Sequence, residues 1–94
     1  MKTILLSLLI ASLLLTPFIL SAEESSLGSA LRLYYSGDYQ GAVVAFKEVI
    51  ASDPENAAAF YYLGYTYQEM GNYIAARAAF RKTYGINPDF LPLE

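Results

Sequence analysis

Residues 60–88 have the sequence FYYLGYTYQEMGNYIAARAAFRKTYGINP, in which aromatic, leucine and alanine residues recur at helical spacing on both sides of a central glycine. The surrounding residues 57–90 align without a gap with the preceding residues 23–56. The aligned pairs include Ala30 with Gly64, Gly37 with Gly71, Tyr39 with Tyr73, Ala42 with Ala76, Ala45 with Ala79, Phe46 with Phe80 and Pro54 with Pro88. Self-similarity at such a fixed period indicates a repeat protein.

Each unit divides into two helical segments, because its apolar residues recur three and four positions apart. Gly37 and Gly71 separate the segments, since glycine readily adopts the left-handed conformation that ends a helix. Asp38 and Asn72 are suited to cap the helix that follows, and a proline near the end of each unit stops that helix. The pattern predicts an all-α fold of four helices, with no strand after residue 22.

The second unit resembles a complete tetratricopeptide repeat. Its matching positions are Phe60, Leu63, Gly64, Tyr67, Gly71, Tyr73, Ala76, Phe80 and Pro88. The first unit resembles the same repeat through Ala30, Gly37, Tyr39, Ala42, Phe46 and Pro54, and departs from it at Ser26 and Ser29. The resemblance implies a short α-solenoid of two antiparallel helix-turn-helix repeats, 23–56 and 57–90, whose first helices form a concave face that holds partner proteins.

Large apolar residues in this pattern are expected in the core, because apolar side chains at helical spacing normally face inward. They are Phe46, Phe60, Leu63, Tyr67, Tyr73 and Phe80. Small residues at positions 30, 42, 64 and 76 allow paired helices to approach closely. The charged residues of the second helices are expected on a solvated outer face. They are Lys47, Glu48, Arg77, Arg81 and Lys82.

The resemblance also assigns a set of groove positions on the first helix of each unit. These positions are Leu27, Leu31, Tyr34, Tyr61, Tyr65 and Gln68. They lack the Lys, Arg and Asn residues that clamp a terminal carboxylate in some members of the family, which disfavours that recognition mode. A tyrosine-rich, mostly apolar strip is instead suited to protein contact. The alternative is that Tyr61 and Tyr65 only cover the next helix layer, or fill space in a tyrosine-rich chain.

Residues 1–22 differ in character from the repeats, with a lysine near the start, an apolar run over 4–15, the helix-breaking Pro17 and the small Ala22. This order predicts a signal-peptide helix that is cleaved after Ala22. The alternative is an uncleaved membrane anchor, since residues 4–22 approach the lower length limit for crossing a bilayer. In both cases we expect the repeats to lie outside the cytoplasm, in a periplasmic, secreted or membrane-anchored protein.

The composition excludes several classes of function. The chain has no cysteine and no histidine, which removes thiol nucleophiles, disulfides and the usual proton shuttle at neutral pH. A net charge of −3 argues against a nucleic-acid partner. Its acidic residues show no metal-ligand spacing, so we expect no catalytic residue, metal or cofactor. The expected partner is another protein or peptide, with a membrane involved only if the N-terminal segment is retained.

Residues 91–94 are short and contain Pro92, which argues against the further helix that usually closes such a stack. The last helix is then expected to leave an open end, with Phe90, Leu91 and Leu93 available to fold back over part of it. The residues expected at this open end are Ala79, Tyr84 and Ile86. Three hypotheses follow. The first is an interaction module that binds through the concave face, and the second is a scaffold that self-associates through the C-terminal end. The third and least favoured is an enzyme, which would have to act through tyrosine, serine or scattered carboxylates.

Overall fold

The computed structural model describes residues 26–92, which contain four α-helices and no strand. The helices are α1 (Ser26–Tyr35), α2 (Tyr39–Ser52), α3 (Ala57–Glu69) and α4 (Tyr73–Ile86). The all-α prediction is confirmed, with the helix pair α1–α2 in the first predicted unit and α3–α4 in the second. The predicted signal peptide, residues 1–22, lies outside the described residues, as does Leu93.

The turn inside each repeat forms as its sequence predicts. Gly37 and Gly71 have positive φ angles of 87° and 78°, in the left-handed region that glycine tolerates best. Asp38 and Asn72 follow these glycines, and each side chain accepts a hydrogen bond from the backbone N–H three residues later, at 3.0 and 3.2 Å. These caps satisfy N–H groups that have no partner within the helix.

The second helix of each repeat is followed by one extended residue and then a proline. Asp53 and Asn87 have φ angles of −142° and −139°, and each is followed by proline. Proline disfavours helical geometry at the residue before it, so both helices stop there. Asn56, the last residue of the first unit, caps the first helix of the next repeat, and its side chain accepts a 3.0 Å hydrogen bond from the backbone N–H of Ala59.

The two repeats share one core. Consecutive helices pack against each other, and α1 also contacts α3, so the first helices of the two repeats lie side by side. Phe46 of α2 is fully buried and stacks on Tyr62 of α3, with ring centroids 6.4 Å apart. The buried core cluster draws on all four helices. It contains Ala30, Ala42, Phe46, Leu63 and Ala79.

Gly64 marks the closest approach within the second repeat. A Cβ atom built on Gly64 would lie 2.8 Å from Cε1 of Phe80, a distance that real Cβ atoms essentially never show. The small residue at this position therefore lets the Phe80 ring lie directly on the α3 backbone. The counterpart in the first repeat, Ala30, is fully buried, as the close-packing prediction requires.

Two expectations about burial are wrong. Tyr73 is 66% exposed, although its counterpart Tyr39 packs on Tyr34 with ring centroids 5.9 Å apart. The position equivalent to Tyr34 in the second repeat is Gln68, which offers no ring to pack against. Ala79 is buried in the shared core and does not belong to an open end, because its part of α4 faces the packed interior.

The remaining core expectations hold to different degrees. Phe46 and Leu63 are buried, whereas three aromatic residues of the second repeat are only half-buried. They are Phe60, Tyr67 and Phe80. The charged residues expected on the outer face are all exposed. They are Lys47, Glu48, Arg77, Arg81 and Lys82.

We expect Phe46→Ala to lower the free energy of unfolding by about 3–5 kcal/mol, because it leaves a cavity in the shared core. This loss approaches the total stability of a small domain, so the variant should be largely unfolded. The equivalent change Phe80→Ala removes a half-buried ring and should cost less. Circular-dichroism melts of both variants measure the difference, and an equal or larger loss for Phe80→Ala would contradict the shared core.

Candidate protein-binding face

The described part of the chain places two adjoining depressions on the face formed by α1 and α3. The leucine depression has a volume of about 310 Å³, and the tyrosine depression about 190 Å³. The leucine depression is lined by Leu27, Leu31, Tyr35, Ala58, Tyr62, Phe90 and Leu91. The tyrosine depression is lined by Tyr34, Tyr35, Tyr61, Tyr62, Tyr65 and Pro92. Because Tyr35 and Tyr62 line both, we call the combined surface the aromatic groove.

Helical spacing explains why these residues meet. Side chains three or four positions apart lie on the same face of a helix. On α1 this relation joins Leu27, Leu31 and Tyr35 into one row. On α3 it joins Ala58 to Tyr62, and the same face continues to positions 61 and 65. The contact between α1 and α3 then brings the two rows together as the walls of one groove.

Tyr61 is the centre of a network of ring contacts. Its ring centroid lies 5.1 Å from that of Tyr65 and 5.7 Å from that of Phe80, with the rings inclined edge to face. Tyr65 also meets Phe80 edge to face, at 5.1 Å. Both tyrosines therefore cover the neighbouring helix while they line the groove. The two roles are therefore not exclusive, because the same side chains cover the next helix and line the groove.

The hydroxyl groups of three groove tyrosines resist ionisation. A hydrogen bond with the Tyr65 side chain, together with burial, raises the pKa of Tyr61 well above its usual range. Burial raises the pKa of Tyr62, and burial together with the negative charge of Glu69 raises the pKa of Tyr34. These hydroxyls stay neutral across the physiological pH range, where they act as hydrogen-bond donors and acceptors.

Five of the six predicted groove residues line the aromatic groove, and their role in binding stays a prediction. They are Leu27, Leu31, Tyr34, Tyr61 and Tyr65. Gln68 is exposed and lines neither depression, since it lies one turn beyond Tyr65 near the end of α3. Sequence reasoning missed Tyr35, Ala58 and Tyr62 on the helices. The sequence did contain a signal for them, because Tyr35 lies four positions after Leu31, and Ala58 and Tyr62 lie three positions before Tyr61 and Tyr65.

The lining of the groove is uncharged. Every side chain that lines the two depressions is aliphatic, tyrosine, phenylalanine or proline. Such a surface gains free energy by burying apolar area and would pay a desolvation cost for a charged ligand without a partner. The groove therefore suits a mostly apolar segment that offers hydrogen-bonding groups to the tyrosine hydroxyls.

Between residues 26 and 92, no group of three or more Asp, Glu, His or Cys residues is placed to hold a metal ion. None of the four described helices has the length and hydropathy needed to cross a membrane.

Comparison with known families gives two matches in tandem. A family model described as TPR repeat matches residues 30–71, and one described as Tetratricopeptide repeat matches residues 57–90. The two matches overlap over α3 and together span the described helices from Ala30 onwards. No curated protein matches the chain.

The raised pKa values predict an alkaline loss of stability. Tyrosine in an unfolded chain titrates near pH 10, and the folded groove holds its protons to higher pH. Below about pH 10 these tyrosines are protonated in the folded and in the unfolded chain, so the free energy of unfolding does not depend on their titration. Above it the unfolded chain releases protons first, so the melting temperature should fall as the pH rises.

Circular-dichroism melts at increasing pH measure this effect. The variant Tyr61→Phe removes the most strongly shifted hydroxyl, so its melting temperature should fall less steeply above about pH 10. Identical pH profiles for the two proteins would show that the Tyr61 hydroxyl does not hold its proton more tightly in the fold.

Proposed function

Because the chain belongs to the tetratricopeptide repeat family, we propose that it is an interaction module whose aromatic groove binds an apolar segment of another protein. TPR repeats generally mediate protein–protein interaction or scaffolding. The observation that carries the proposal is the continuous, uncharged groove to which both repeats contribute. Neither repeat could form this groove alone, since α1 supplies one wall and α3 the other.

The groove combines a packed base with an accessible rim. Tyr61 and Tyr65 are held by Phe80, so they are preorganised for contact. Tyr35 joins the two depressions and is 72% exposed, which leaves a large aromatic side chain available to a ligand. Tyrosine buries much area for little loss of side-chain entropy, and it is enriched among residues that dominate binding energy.

Catalysis receives no comparable support from this face. Its polar groups are tyrosine hydroxyls, three of which have raised pKa values. A general acid or base works best when its pKa lies near the operating pH, and these groups are moved away from it. The groove is therefore better suited to binding than to proton transfer.

A second candidate function is self-association through the end of α4. The Phe46 ring is fully buried under Tyr62 of the following repeat, whereas its counterpart Phe80 is half-buried and covered by tyrosines of its own repeat. Tyr84 on the same helix is exposed. A second copy that covered these rings would make the melting temperature rise with protein concentration. Light scattering would then report a dimer, and a monomer at all concentrations would remove this candidate.

We further propose that the module is exported. The proposal is supported by the order of residues 1–22, in which a positive start and an apolar run precede Pro17 and Ala22. We expect protein recovered from a secreting host to begin at Glu23, and its intact mass measures this directly. A full-length species that resists alkaline extraction from membranes would instead identify the segment as an anchor.

Binding through the groove can be tested by photo-crosslinking in the cells that produce the protein. A photo-reactive amino acid in place of Tyr35 should capture one dominant partner protein, because this exposed position joins both depressions. Mass spectrometry of the adduct identifies the partner and the segment of it that was captured.

The matched control is the same substitution at Tyr73. This tyrosine is similarly exposed, but it begins α4 and lines neither depression of the groove. It should give little adduct. Equal and diffuse labelling from the two positions would contradict binding through the groove.

A further inference from the structure

The chain itself supplies an occupant for part of the aromatic groove. After α4 ends, a turn forms in which the backbone N–H of Phe90 donates to the carbonyl oxygen of Asn87 at 3.1 Å. Phe90, at the end of this turn, and the next two residues are not helical. All three line the groove, and we call them the strap. They are Phe90, Leu91 and Pro92.

The repeat register explains why the strap does not begin another helix. Phe90 occupies the position equivalent to Asn56, whose side chain caps α3 through the N–H of Ala59. Phenylalanine has no side-chain acceptor for that role. The chain is therefore released from the helical repeat at this point, and Pro92 has no backbone N–H to donate.

The strap contributes to the lining of both depressions. The centroid of the Phe90 ring lies 5.2 Å from that of Tyr61, near the start of α3, and 6.4 Å from that of Tyr84, near the end of α4. Leu91 then lines the leucine depression together with residues of α1, and Pro92 lines the tyrosine depression. The segment thus passes from the second repeat towards the first.

The strap fills the groove incompletely. Phe90 is half-buried, but Leu91 is 82% exposed, and about 310 Å³ of the leucine depression remains open beside it. A segment anchored chiefly by one ring gains little free energy against the entropy of ordering its backbone. A ligand that also filled the leucine depression would bury more apolar area than the strap does and could displace it.

We infer that the strap is an intramolecular ligand that masks the aromatic groove, and that the groove's partner is an extended segment with an aromatic residue, a leucine and a proline in succession. This inference rests on the proposed function and specifies its ligand. Grooves lined by aromatic side chains suit proline-containing extended segments, because such segments are already stiff and expose their backbone carbonyls. The tyrosine hydroxyls that line the groove can donate to those carbonyls.

The test uses a fluorescein-labelled peptide with the sequence of residues 87–94 and protein purified from cells that express the full chain. Fluorescence polarisation measures the dissociation constant. The variant Phe90→Ala removes the ring that anchors the strap. If the strap occupies the groove in about nine molecules of ten, this variant should bind the peptide about tenfold more tightly than the unmodified protein.

A second variant, Leu91→Asp, covers the case in which Phe90→Ala fails to fold. It leaves the Phe90 ring in place and removes the leucine side chain from the lining of the leucine depression. Because Leu91 is 82% exposed, this change should tighten binding by less than Phe90→Ala does. The matched control is Ile74→Asp, a similarly exposed aliphatic position on α4 that lines neither depression. It should bind the peptide as the unmodified protein does.

Equal binding by the unmodified protein and folded strap variants would overturn the masking role, and so would an absence of peptide binding to all of them. Such a result leaves the proposed function standing if crosslinking at position 35 still captures one partner. Diffuse crosslinking at that position would instead contradict the proposed function itself.

Discussion

The stacking of Phe46 on Tyr62 joins the two repeats, and the other features of the molecule depend on it. A single helix pair cannot bury its own apolar face, so stability in a repeat protein comes from neighbours. Here a fully buried ring of α2 meets a ring of α3 across the repeat boundary, and the buried cluster draws on all four helices. The chain has no cysteine, so this packing is not supplemented by disulfides.

The contact between Phe46 and Tyr62 also helps to form the aromatic groove. Tyr62 packs on Phe46 and also lines both depressions, so one side chain belongs to the core and to the candidate binding face. Its position on α3 sets that helix beside α1, and the row of Leu27, Leu31 and Tyr35 then faces the tyrosines of the second repeat. A ligand in the groove would contact both repeats, so binding and stacking should stabilise each other.

The sequence predicts what local chemistry determines. The positive φ of Gly37 and the cap at Asp38 depend on a few adjacent residues, and both were predictable. The exposure of Tyr73 was not predicted, because it depends on the neighbouring helix, where Gln68 replaces the tyrosine that packs on Tyr39 in the first repeat. Fold-back of Phe90 over the end of α4 was expected, and its ring does pack on Tyr84. The further contact with Tyr61 and the course of Leu91 and Pro92 along the groove were not predicted, because they depend on tertiary contacts. Most of the fold was therefore predictable, whereas the groove was predicted only along the rows that helical spacing defines.

The most direct test of this account is a double-mutant cycle between Phe46→Leu and Tyr62→Leu. Urea unfolding of the two single variants and the double variant gives the coupling free energy of the pair. Direct contact between the rings predicts that the double variant loses less stability than the sum of the single losses, by about 0.5–1.5 kcal/mol. Strictly additive losses would contradict the claim that this contact joins the repeats.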